Sequence, residues 1–88
     1  MQDKLRTLHD IGLKVREARK SIKLSTVEVA AKSGRSRDVL HRLERGEDVS
    51  LSSLLAILAA IDHAIEIAPA GRPTLAEMAR RFANDQDE

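Results

Sequence analysis

STVEVAAKSGRSRDVLHRLE, residues 25–44, decides the fold. Ser25 offers a side-chain oxygen at a helix start, and Glu28, three residues on, can reach back to the Ser25 amide, which is the spacing of a capping box. Ala30 and Ala31 place small side chains where two helices must approach closely. Gly34 stands where the chain has to leave a helix in a left-handed conformation. Ser36 supplies a second N-cap oxygen, and Val39, Leu40 and Leu43 recur at three- and four-residue spacing. The stretch reads as a helix over residues 26–33, a tight bend, and a helix from Arg37 to about Arg45. That second helix buries Val39, Leu40 and Leu43 and presents Arg37, Asp38, His41 and Arg42 outward.

Working outward, Leu5, Leu8, Ile11, Val15, Ala18 and Ile22 mark an amphipathic first helix from about residue 5 to Ser21, which Gly12 weakens slightly. After Arg45, Gly46 is a stop signal, and Ser50 caps a helix LSSLLAILAAID whose Leu51, Leu54, Leu55, Leu58 and Ile61 form a broad apolar stripe. Residues 64–68, AIEIA, alternate β-branched with small or charged side chains and read as a short strand. No second strand accompanies it, so the pattern predicts pairing with its own copy through Ile65, Glu66 and Ile67 across a dimer axis; the alternative is a strap over its own core. Residues 69–73 have linker composition, and Thr74 with Glu77 starts a last helix to about Ala83, followed by an acidic tail.

The predicted class is all-α: five helices and one short C-terminal β-strand, with a domain over residues 1–68 and a linker, helix and tail over 69–88. Eighty-eight residues make one domain, small enough to gain from association. The net charge of +1 conceals a polarity: residues 1–45 hold 12 Lys and Arg against 6 Asp and Glu, whereas residues 46–88 hold 3 against 8. A basic half that contains the two short helices suits phosphates, and an acidic half suits protein. One aromatic residue, Phe82, is too few to build a stacking surface for single strands. With no cysteine, no long apolar run and a polar start MQDKLRTLHD, neither a disulfide frame nor a membrane span nor a secretory leader is expected, and the cytoplasm is the expected compartment.

Over roughly residues 11–61 the chain resembles the lambda-repressor-like helix-turn-helix proteins of the Cro and phage-repressor (XRE) type. The likeness lies in Leu24-Ser25, Glu28-Val29-Ala30, Gly34, Ser36 and the closing Leu43-Glu44-Arg45-Gly46, taken together. It implies a fold that lays the 37–45 helix in the major groove of double-stranded DNA, and an ion pair between Arg19 and Glu44. Thr26 stands where the family usually carries a phosphate-touching glutamine. Arg37 replaces a second glutamine, which shifts the expected base from adenine toward guanine. The run SLSSLLAILAAIDHAIEIAP is similar to HipB-type antitoxins, which implies a homodimer that represses its own operon and neutralises a kinase toxin.

Side-chain chemistry divides the candidate site in two. Arg37, Asp38, His41 and Arg42 are placed for base edges or nearby phosphates, while Thr26, Arg35 and Ser36, with the helix-start amides, would fix register on the backbone. Asp38 either accepts from a cytosine amine or orients Arg35, Arg42 or its own helix. His9, His41 and His63 are too far apart and too poorly accompanied for a metal or base role, and Ser50, Ser52 and Ser53 lack an arranged histidine and carboxylate. No cofactor and no enzymatic activity are expected. A repressor, as antitoxin or as stand-alone or phage-derived regulator, is one reading; a toxin-neutralising module that does not read DNA is the other.

Overall fold

The computed structural model describes residues 4–70. Within them run four helices: α1 Leu8–Ser21, α2 Thr26–Ser33, α3 Arg37–Glu44 and α4 Leu51–Ala60. Each begins on a hydroxyl. Thr7, Ser25, Ser36 and Ser50 accept from the amide three residues on, at 3.0–3.2 Å, and so satisfy one of the donors a helix start leaves without a partner. At α1 and α2 the box is complete, with Asp10 and Glu28 reaching back to the cap amides of Thr7 and Ser25. Helix α1 therefore starts at Leu8, later than its apolar stripe predicts, and Leu5 lies outside it. The box T-L-H-D at residues 7–10 stops the helix where the stripe would have carried it on.

The four exits also share one geometry. Lys23, Gly34, Gly46 and Asp62 have φ of 60, 69, 83 and 59°, all left-handed. Just after each, the amides of Leu24, Arg35, Glu47 and His63 donate to the carbonyls of Arg19, Ala30, Arg42 and Leu58, at 2.8–3.2 Å. These six-to-one bonds close the helix ends. Gly34 and Gly46 take that conformation at no steric cost; Lys23 and Asp62 take it with a Cβ in place.

Val15, Ala18, Val29, Leu40, Leu43, Ile57 and Ile61 form the core, with Ile11, Leu24, Val39, Val49, Leu54 and Leu58 partly buried around it. Helix α1 packs mainly on α3, and α2 mainly on α4. Gly12 makes the first of these approaches close. A Cβ on it would lie 2.9 Å from the Glu44 carbonyl oxygen and nearer still to that of Leu43. Its absence of side chain is thus a packing requirement rather than a mere weakening of α1.

Two expectations need correction. Helix α4 is apolar almost all round, so periodicity does not define its inner face. The buried line is Ser53, Ile57 and Ile61, while Leu51 and Leu55 of the predicted stripe stay at water, 66 and 47 % exposed. Residues 64–68 carry no strand: among the described residues they make no backbone–backbone hydrogen bond, and a strand needs a partner segment to form a ladder. Ile65, Glu66 and Ile67 are exposed in the single chain. The predicted fifth helix and acidic tail lie outside the described residues, so the five-helix count reduces to four helices here.

Candidate nucleic-acid interface

The base of the site is an ion pair. Arg19 of α1 donates through Nε to Glu44 Oε2 at 2.8 Å and through Nη2 to Glu44 Oε1 at 3.0 Å, while its Nη1 donates to the Leu24 carbonyl at 3.0 Å. Both side chains are about nine-tenths covered (11 and 9 % exposed), so each charge depends on the other for what water would otherwise supply. The hydrogen bonds to Glu44 raise the arginine pKa further, against the opposing pull of burial. The pair ties the last residue of α3 to α1 and to the chain entering α2. It fixes the C-terminal end of α3 against the core.

From that anchor α3 runs back to its N-terminus at the bend. Leu40 and Leu43 are fully buried and Val39 half-buried, which turns Arg37, Asp38 and His41 to solvent. Ser36 accepts from the Val39 amide at 3.2 Å, and the Arg37 and Asp38 amides have no partner among the described residues. Thr26, half-buried, opens α2 behind the Ser25 cap. Two helix N-termini with unpartnered amides thus accompany one exposed guanidinium, a combination suited to a polyanion. At α2 the Ser25 amide holds the Glu28 carboxyl below the usual carboxylate range, and the Arg6 amide does the same for Asp10 at α1, so both stay ionised at neutral pH.

Not every predicted side chain points the predicted way. Arg42 turns along its own helix end: Nη2 donates to the Asp48 carbonyl at 3.1 Å and Nε lies 3.9 Å from Glu47 Oε1. Glu47 also takes Arg45 Nε at 2.6 Å, so one carboxylate sits between two arginines. Arg35 is half-buried, and its Nε donates to Ser53 Oγ on α4 at 3.0 Å. Asp38 makes no hydrogen bond or ion pair to Arg35 or Arg42 among the described residues. Arg45, Glu47 and Ser53 were absent from the sequence-derived site. Arg45 and Glu47 adjoin the Gly46 stop, a local clue, whereas the 18-residue separation of Arg35 and Ser53 leaves no sequence pattern at all.

Among the described residues no cluster of three or more histidines, aspartates and glutamates could hold a metal ion, and no helix is long and apolar enough to cross a membrane. A shallow cleft between α3 and the start of α4 is lined by Val39, Arg42, Asp48, Val49, Ser50 and Ser53.

Helices α2 and α3, capped by serines, hinged on Gly34 and braced by Arg19 and Glu44, make this a helix-turn-helix protein whose second helix carries the exposed positions. The chain is similar to the restriction-modification controller protein C.AhdI from Aeromonas hydrophila. The two folds superpose with a TM-score of 0.61 at 34% sequence identity, over 65% of this chain and 88% of the controller. No protein-family model matches the chain. Nor does any curated protein. On this likeness and this geometry the chain belongs to the XRE-type helix-turn-helix family, that of Cro and the phage repressors, and is a DNA-binding transcription regulator.

Proposed function

We propose that the chain is a dimeric repressor that reads an inverted-repeat operator in its own control region. The observation that carries this reading is the exposure of Arg37, Asp38 and His41 on a helix whose opposite face is locked into the core. Arg37 reads guanine by a two-point hydrogen bond, worth about 1–3 kcal/mol of discrimination against another base. Thr26, Arg35, Ser36 and the unpartnered amides hold the sugar-phosphate backbone. A second copy is supported by apolar surface left at water C-terminal to α3, namely Leu51, Leu55, Ile65 and Ile67, the last 94 % exposed. In a dimer built on that surface AIEIA would gain the partner segment it lacks in the single chain, and reading two half-sites requires the two copies of α3 to lie one DNA turn apart, roughly 34 Å.

Fluorescence polarisation on a duplex from upstream of the gene tests the reading: binding is sequence-dependent, weakens with salt, and loses specificity in Arg37→Ala. Equal affinity of wild type for that duplex and a scrambled one overturns it. Sedimentation at micromolar concentration gives a dimer, and Ile65→Pro shifts it toward monomer.

The finer choice between a stand-alone regulator and an antitoxin turns on residues 51–68. Their sequence resembles HipB-type antitoxins and favours a kinase toxin as a further partner, whereas the likeness to a restriction-modification controller favours a regulator without one. Co-expression with the product of the adjacent gene separates the two: a neutralised kinase supports the antitoxin. In the alternative where the chain neutralises without reading DNA, Arg37→Ala/Arg42→Ala leaves neutralisation intact and wild type shows no operator preference.

A further inference from the structure

We infer that Ser53, a buried residue of α4, is a positioning residue for DNA binding: it holds the Arg35 guanidinium in the orientation in which that side chain meets a phosphate. The inference rests on the DNA-binding reading above and adds to it a residue of α4, a helix outside the α2–bend–α3 unit.

Ser53 is 8 % exposed, although α4 has apolar residues enough to fill that position. A hydroxyl is retained in the core at a cost unless it is hydrogen-bonded. Its Oγ accepts from Arg35 Nε at 3.0 Å and from Ser50 Oγ at 2.8 Å, and the Ser50 oxygen in turn accepts from the Ser53 amide at 3.1 Å. The chain reaches Arg35 through equally determined backbone: the Arg35 amide donates to the Ala30 carbonyl and to Ser33 Oγ, each at 3.2 Å, just past Gly34. Arg35 is thus held at its amide and at Nε, while Nη1 and Nη2 have no partner among the described residues. A guanidinium anchored through Nε keeps its two terminal nitrogens for an outside acceptor, and its position beside the α3 N-terminus makes that acceptor a phosphate. Ordering a long side chain before binding removes an entropy cost that a freely rotating arginine would meet on the DNA.

The test uses the full chain and two duplexes, one from upstream of its gene and one of arbitrary sequence, because a phosphate contact is independent of sequence. Ser53→Ala removes one oxygen, leaves Arg35 charged, and weakens both affinities by about three- to tenfold while the slope of log K against log salt is kept. Arg35→Lys, which lacks Nε, behaves as Ser53→Ala does, and Arg35→Ala lowers the slope by about 0.9. In the Arg35→Ala background Ser53→Ala has no further effect on binding. A serine that merely supported the fold would act equally in either background. Unchanged binding in Ser53→Ala, or an undiminished effect without Arg35, overturns the inference and leaves the DNA reading standing; wild type that binds neither duplex removes both.

Discussion

Gly12 of α1 lies so close to Glu44 of α3 that a Cβ would stand 2.9 Å from the Glu44 carbonyl oxygen. Helix propensity alone says that Gly12→Ala gains about 1 kcal/mol. The contact says the opposite, because the obstacle is backbone and cannot rotate away. Gly12→Ala is therefore destabilising by about 1–3 kcal/mol in urea denaturation, the range for forcing extra carbon into a packed site. A raised midpoint would show that α1 and α3 part without cost.

The ion pair behind that contact sets a second expectation. Removing one charge leaves the other covered and without its partner, so Arg19→Ala and Glu44→Ala each cost about 3–5 kcal/mol. The double variant costs less than the two added together, since no lone charge remains. Thermal melts of the four proteins read the coupling directly.

Acid should loosen the two capping boxes. The carboxyls of Asp10 and Glu28 have lowered pKa values in the fold, each mainly through a backbone amide, that of Arg6 for Asp10 and that of Ser25 for Glu28. A lowered folded pKa stabilises above the unfolded value, about 4, and that stabilisation is lost as pH falls through the folded value. Stability of Asp10→Asn/Glu28→Gln is accordingly flatter than wild type below about pH 5. Parallel pH profiles would mean the boxes are not formed in solution.

Lys23 leaves α1 with φ of 60°, a conformation that a side chain resists. Lys23→Gly removes that resistance at the expense of a looser unfolded chain, and the balance is a gain of about 0.5–1 kcal/mol. Differential scanning calorimetry checks the sign. Gly34→Ala at the corresponding exit of α2 moves stability the other way.

Arg37 and Arg42 share α3 but not their surroundings. Arg42 is committed to the Asp48 carbonyl and lies near Glu47, whereas Arg37 is exposed at the helix start. Arg37→Ala should cost more operator affinity than Arg42→Ala in polarisation titrations. Equal losses would require Arg42 to leave its loop when DNA arrives.

Much of this architecture is written locally. Ser25, Glu28, Gly34, Ser36 and Gly46 announce helix starts and exits within three or four residues, and the bend between α2 and α3 follows from them. The inner face of α4 was not legible because Leu51, Leu55 and Ile57 are equally apolar, and only packing against α2 chooses Ile57. Lys23 and Asp62 concealed two exits that no glycine marks. In the site, Arg37, Asp38 and His41 could be placed outward because they oppose Leu40 and Leu43 on one helix. The turn of Arg42 toward Asp48 and the bond from Arg35 to Ser53 depend on chain segments whose approach no periodicity encodes.

Because α3 is clamped at Glu44 and open at Arg37, positions 37, 38 and 41 can be exchanged with little toll on the scaffold behind them. Duplicated copies of such a gene are free to drift toward new target sites while their melting temperature hardly moves, so recognition in this lineage can diversify faster than architecture.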